Sequence, residues 1–262
     1  MILNQTKEQR KAAKAQRRLE KMPKSDSIFE DKLTVLCVRF GTKYGREYVE
    51  RLRNMAARHI KIPYEFVCLT DDINPIEGVR SIVQPLAGYH RLWWHKVHMF
   101  DAGLPLSGRI LYFDLDIIIC ADVEKLIRGS GNKFLGIRDF NRKFHPGWNI
   151  LNSSVMSWMH GQHSYIFEDF KRDPLHAQKL LGDQDWIWRV AKQKITFWPD
   201  DVIQSYKWEI RERGDLMVDR GKRKFKTVSN STSIDENCCI VVFHGDPKPE
   251  DIQDKFVVDN WK

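Results

Sequence analysis

The chain has 262 residues, 42 % hydrophobic and 30 % charged, with a net charge of +8. That length suffices for one large domain or two small ones around a sizeable core. No segment approaches the ~18 uninterrupted apolar residues of a membrane span, and the first eight residues offer no apolar signal core.

The charge is unevenly placed. Within residues 1–24, Lys7, Arg10, Lys11, Lys14, Arg17, Arg18, Lys21 and Lys24 face only Glu8 and Glu20, giving +6 and leaving +2 for the body. No apolar stripe would hold this segment on a core, so residues 1–30 are expected to form a basic, flexible arm and residues 31–262 the folded domain. A solvated tail is the plain reading of the arm; contact of residues 7–24 with an anionic membrane surface is the alternative. Nucleic acid is disfavoured as a partner, because the body holds no nucleic-acid motif. Five cysteines without paired metal spacing read as small core residues in a reducing cytoplasm, at most peripheral to a membrane.

Residues 33–38 read as a buried strand, and 40–45 as a glycine-bounded loop. A helix follows with Tyr48, Leu52, Met55 and His59 at helical spacing. Pro63 introduces a strand at 64–69, which ends in an acidic turn at 70–72, and 79–83 is a short third strand. Residues 91–102 predict a helix with Trp93, Val97 and Phe100 inward, ended by Gly103 and Pro105. One long strand is then expected over 108–120. Further on, 138–149 reads as a polar, aromatic loop, 151–158 as a strand, 165–170 and 185–191 as helices, and 239–243 as a last strand. Residues 215–237 form a long polar excursion. The alternation predicts an α/β fold with a Rossmann-like, mostly parallel central sheet flanked by helices. Such sheets bind ligands beyond the carboxyl ends of their strands, which sets the 40–45 loop, the 70–72 turn and residues 114–116 along one rim.

Asp114 and Asp116 interrupt an otherwise apolar run, where carboxylates are costly unless a positive group compensates them. In extended chain, residues i and i+2 share a face, so both acids would converge on one cation. Hard oxygen ligands suit Mg²⁺ or Mn²⁺, whose usual task is to neutralise a diphosphate. His244, at the end of a hydrophobic strand, could complete that shell and tilt the choice toward Mn²⁺, or could pack structurally.

Four motifs in order, Tyr112 with Asp114 and Asp116, Asn152 with Ser153 and Ser154, Asp183-Gln184-Asp185, and His244-Gly245 with Lys248-Pro249, resemble those of the GT-A fold glycosyltransferases. The likeness is to the retaining family that includes glycogenin and bacterial lipopolysaccharide galactosyltransferases. It spans residues 33–249 and implies a single GT-A domain. It also implies that Asp114, Asp116 and His244 hold a divalent ion, Mn²⁺ or Mg²⁺, on the diphosphate of a nucleotide-sugar donor, a UDP-sugar by preference. Lys248 would contact phosphate, while Asn152, Asp183, Gln184 and Asp185 would line the donor-sugar and acceptor pocket. The resemblance leaves the acceptor open among a carbohydrate, a lipid-linked group and a protein. Here the terminal motif is contracted, Gly245 following His244 directly, with Glu250 where tryptophan is usual and Ser154 where glycine is. The chain thus resembles a divergent branch.

Phe40, Gly41, Thr42 and Tyr44 stand where the nucleotide base would sit, or are an ordinary strand-to-helix loop. Arg91 and Lys96 are cations that could reach phosphate or donor sugar, or be solvated helix charges. Asp71 and Asp72 read better as turn caps than as ribose ligands. Trp186 and Trp188 read as core, and Trp148 as the best aromatic for an acceptor sugar. The rival enzymatic reading is a haloacid-dehalogenase-like phosphatase with Asp114 as nucleophile and Asp116 as general acid. A binding module using the basic arm is the non-enzymatic rival.

Overall fold

Continuous apolar runs form the middle of the molecule. In the computed structural model, which describes residues 32–210 and 234–262, β1 (Leu33–Arg39) lies between β2 (Tyr64–Thr70) and β4 (Arg109–Phe113), parallel to both. Residues 33–37 and 109–113 are buried throughout, the pattern of strands covered on both faces. β3 (Arg80–Val83) adds a parallel edge strand beside β2. Beyond β4 come β7 (Leu151–Met159), antiparallel to it, then β6 (Phe134–Arg138) and β8 (Ile195–Phe197). The seven-stranded order is β3-β2-β1-β4-β7-β6-β8, mostly parallel as expected. A second sheet of three strands joins β5 (Ile117–Ile119), β10 (Ile240–Val242) and β9 (Ile203–Ser205).

Side-chain alternation divides the core. Leu36, Val67, Leu69, Ile110 and Tyr112 face a cluster with Trp94, Val97, Phe100, Ile166, Phe170, Trp186 and Ile187. Those residues come from the 3-10 helix Leu92–Phe100, α2 (Tyr165–Arg172) and α4 (Asp183–Ala191). The alternate strand residues, Val35, Cys37, Cys68 and Leu111, turn to the other face. There α1 (Arg46–His59) packs with its buried stripe of Tyr48, Val49, Leu52, Met55 and Ala56, and Met55 Sδ accepts from the Ile119 N–H at 3.4 Å. A short α3 (Pro174–Ala177) and α5 (Lys255–Asn260) complete the α-helices of the described residues. All five cysteines are free thiols, four of them buried. No helix among the described residues is long and apolar enough to cross a membrane.

Three expectations change. The stretch 108–120 is not one strand: β4 ends at Phe113, residues 114–116 turn, and β5 begins at Ile117 in the other sheet. The two carboxylates therefore sit on a crossing between sheets, and the same-face argument for extended chain does not apply to them. The predicted helix over 91–102 is a 3-10 helix. With three residues per turn its inward row is Trp94, Val97 and Phe100, and Trp93 lies exposed. The loop expected over 138–149 contains the end of β6 and a 3-10 turn at Phe140–Lys143. The expected arm, residues 1–30, and nearly all of the 215–237 excursion lie outside the described residues.

Candidate active site

Parallel β2, β1 and β4 deliver three chain ends to one rim. After β1, the loop 40–45 turns at Gly41, whose φ of +68° suits glycine. The Gly41 N–H donates to Asp71 Oδ1 at 3.0 Å, just beyond β2. Asp72 accepts from Arg39 Nη1 at 3.1 Å and from the Asn74 backbone N–H at 2.9 Å. Asp71 and Asp72 thus hold turns, as the sequence reading preferred. Phe40 stacks on His95 with centroids 4.3 Å apart, and Thr42 is exposed. The Tyr44 hydroxyl donates to Asp116 Oδ2 at 2.8 Å, tying this loop to the acidic turn. Burial, and after it the Asp116 charge, raise the Tyr44 pKa, so the phenol stays a donor.

Lys96 stands at the centre. Its buried ammonium donates to Asp114 Oδ1 at 2.8 Å and to Ser153 Oγ at 3.0 Å, and lies 3.3 Å from Asp183 Oδ2. Tyr112 OH adds a 2.6 Å bond to the same Asp114 oxygen. Burial by itself would raise the Asp114 pKa, but the Lys96 charge and these donors outweigh it and hold the carboxyl below its ordinary value. For Lys96, burial lowers and the Asp114 and Asp183 charges raise, with a net upward shift. Both groups are therefore ionised at neutral pH. Lys96 is accordingly not the solvated helix charge that is one of its two sequence readings. It gathers Asp114 from the turn after β4, Ser153 from β7 and Asp183 from the first turn of α4.

The remaining motif residues join that knot. Ser153 Oγ donates to Asp183 Oδ2 at 3.0 Å, and the Ser153 N–H to Gln184 Oε1 at 3.2 Å. Asn152 Oδ1 accepts from the Ser154 N–H at 3.1 Å. The register of β7 against β6 jumps here, Met156 pairing with Gly136 and Asn152 with Ile137, which frees residues 153–155 from regular pairing with β6. Burial, with Asp183 and Asp139 nearby, raises the Asp185 pKa. Arg91 is exposed, its guanidinium 4.8 Å above the Trp93 ring. Trp148 is 38 % exposed and donates from Nε1 to Asp139 at 3.0 Å. Trp186 is core as expected, and Trp188 is half-buried against it.

Asp116 is buried and receives the Lys248 ammonium as well as Tyr44 OH. Lys248 Nζ also donates to the Phe243 carbonyl at 3.3 Å. His244 lies apart: its Nε2 is 2.7 Å from Ser205 Oγ, and its ring stacks on Phe140 at 5.0 Å. Burial first, then Lys207, Lys248 and Arg142, lower its pKa to about 3, leaving a neutral imidazole. Among the described residues no three of His, Cys, Asp and Glu are gathered closely enough to hold a metal ion. Asp114 and Asp116 are oxygen donors of the kind a hard divalent cation takes, and each is at present paired with an ammonium, Lys96 or Lys248, that such an ion would have to displace or share. His244 has the neutral ring a metal requires but is engaged elsewhere. Sequence reasoning named no role for Ser153 or Ser205 and passed over Lys207, because nothing in local spacing sets them apart from other surface-prone residues.

This mixed α/β architecture, with its seven-stranded central sheet flanked by helices, is a GT-A fold by its likeness to solved structures. The galactosyltransferase LgtC, solved in complex with donor and acceptor sugar analogs, superposes with a TM-score of 0.57 at 13 % identity, covering 82 % of this chain and 88 % of that one. The glycosyltransferase GlyE of Streptococcus pneumoniae TIGR4 gives 0.54 at 16 % identity, covering 83 % of this chain and 56 % of GlyE. The bifunctional glycosyltransferase WbbM gives 0.55 at 12 % identity, covering 85 % of this chain and 47 % of WbbM. The chain thus spans about half the length of the last two. No protein-family profile and no curated protein sequence matches it. At these identities the likeness is one of fold.

Proposed function

We propose that this chain is a glycosyltransferase that moves a sugar from a nucleoside-diphosphate donor, UDP-sugar by preference, to an acceptor hydroxyl with retention of configuration. The observation that supports it most is the Lys96 knot, in which Asp114, Ser153 and Asp183 from three separate motifs meet beyond the carboxyl end of β4. The glycosyltransferase activity of the structural neighbours supports the same reading. No observation favours the phosphatase alternative: Asp114 Oδ1 already accepts from Lys96 and Tyr112 and is poorly free to attack phosphorus.

In this reading the bond between the anomeric carbon and the β-phosphate oxygen breaks, and its electron pair leaves with the nucleoside diphosphate. The acceptor oxygen forms the new glycosidic bond, and its proton passes to the departing phosphate. Asp114 and Asp116 would hold Mn²⁺ or Mg²⁺, and the ion would supply positive charge to the leaving diphosphate. His244 would join them as nitrogen ligand only on leaving Ser205 and Phe140. Lys248 offers a further charge there. Asn152, Gln184 and Asp185 orient donor sugar and acceptor, Lys96 fixes the carboxylates that flank them, and the 40–44 loop with Arg91 receives the nucleotide.

The test is release of UDP from a panel of UDP-hexoses in the presence of Mn²⁺. The wild type should turn over at least one donor, and Asp116→Asn should lose activity by about a thousandfold, the scale of removing transition-state charge stabilisation, while remaining folded at the assay temperature. Full activity in that variant would contradict the proposal. An inverted anomeric proton signal in the NMR spectrum of the product would reject retention.

A further inference from the structure

A second lysine stands against the contracted terminal turn. β9 and β10 run parallel with Ser205 paired to Val242, so the chain two residues past each strand arrives at the same edge of the small sheet. There a π-helical turn, Tyr206–Ile210, carries Lys207, and the other strand carries His244 and Gly245. Lys207 Nζ lies 2.9 Å from where a Gly245 Cβ would stand, and Gly245 itself is exposed with a φ of +68°. The ammonium lies 5.2 Å from the centre of the Trp208 ring, whose edge meets the His244 ring at 4.5 Å.

Lys207 and Lys248 thus flank one glycine turn. Burial, and then Lys248, press the Lys207 pKa below its ordinary value against the opposing pull of Asp246. Lys248 is already paired with Asp116, and Lys207 has the Asp246 charge nearby, so a diphosphate entering the turn would add anionic partners to two ammonium groups that each have one carboxylate at hand. The glycine leaves the turn bare of side chain where such an anion would approach.

We propose that Lys207 is a second phosphate-binding cation, acting with Lys248 on the diphosphate of the nucleotide donor. It supplies, from the turn after β9, a second positive charge beside the shortened segment that follows His244. The inference rests on the donor-site reading above and adds to it a residue outside the four motifs.

Calorimetric titration of UDP and of UMP, with and without Mn²⁺, into the wild type, Lys207→Met and Lys207→Arg tests it without recourse to turnover. Lys207→Met should weaken UDP about 10- to 100-fold, the range of one lost charge-assisted contact. UMP, which lacks the second phosphate, should change by less than about threefold, or about 0.65 kcal/mol, less than half of what one such contact contributes. Lys207→Arg keeps the charge and should stay close to the wild type for both nucleotides, which guards against a merely misfolded methionine variant. Wild-type UDP affinity in Lys207→Met, or an equal loss of UDP and UMP binding in it, would overturn the role of Lys207. A wild type that binds neither nucleotide would instead overturn the donor site, and this role with it.

Discussion

At Asp114 the balance of a buried charge decides what the site can be. Its carboxylate survives burial because Lys96 lies 2.8 Å away, and Lys96 survives because Asp183 shares it. Removing the lysine leaves two carboxylates without their cation, a class of change that costs about 3–5 kcal/mol. Lys96→Met should therefore lower the urea midpoint by a corresponding amount, and Asp114→Asn added to it should recover part of the loss. A midpoint unchanged by Lys96→Met would show that the knot contributes nothing to stability. The sequence disclosed the four motifs but not the atom that joins them. Lys96 reads as one more helix cation until the 3-10 winding turns it inward beside Trp94 and Val97.

At the level of elements, the site depends on β1 and β4 ending in step. Gly108 sets that register: its φ is +71°, and an added Cβ would fall 1.9 Å from the Lys32 carbonyl oxygen, beside the Arg109 N–H bond to the same atom. Left-handed backbone and a clash with main chain together put the cost of Gly108→Ala at about 2–5 kcal/mol. The variant should melt well below the wild type, and an unchanged melting temperature would refute this account of the strand start. Element by element, β1, α1, β2, β7 and α4 were legible because each has a long apolar run or a helical stripe. The break at 114–116 was not, since β4 and β5 are both fully buried and apolar residues continue on either side of the two acids, as they would in a single strand. β8 and β9, at three residues each, are too short to leave a period.

The whole molecule carries a pH signature that does not depend on the donor site. His98 Nδ1 lies 3.0 Å from Gln84 Oε1 and Nε2 lies 2.7 Å from the Tyr89 hydroxyl, a pairing suited to the neutral ring. Burial, then His95, lower its pKa to about 4. Between the unfolded value near 6.5 and that folded value, the unfolded chain binds a proton that the folded chain refuses. This group's stabilising share is whole above pH 6.5 and is lost as pH falls toward 4, at no more than about 1.4 kcal/mol per pH unit. Thermal melts should show His98→Gln losing less stability than the wild type between pH 6.5 and 4.5. Parallel curves would deny His98 that part.

The central claim is that residues 40–44, Asp114, Asp116 and Lys248 form one nucleotide-diphosphate site that a divalent ion completes. Thermal melting of the purified protein with UDP, GDP and their sugar conjugates, each with and without Mn²⁺, addresses it most directly. The account predicts stabilisation by a uridine nucleotide that needs Mn²⁺ and disappears in Asp116→Asn. A wild type whose melting temperature no nucleotide raises, with or without the metal, would contradict it.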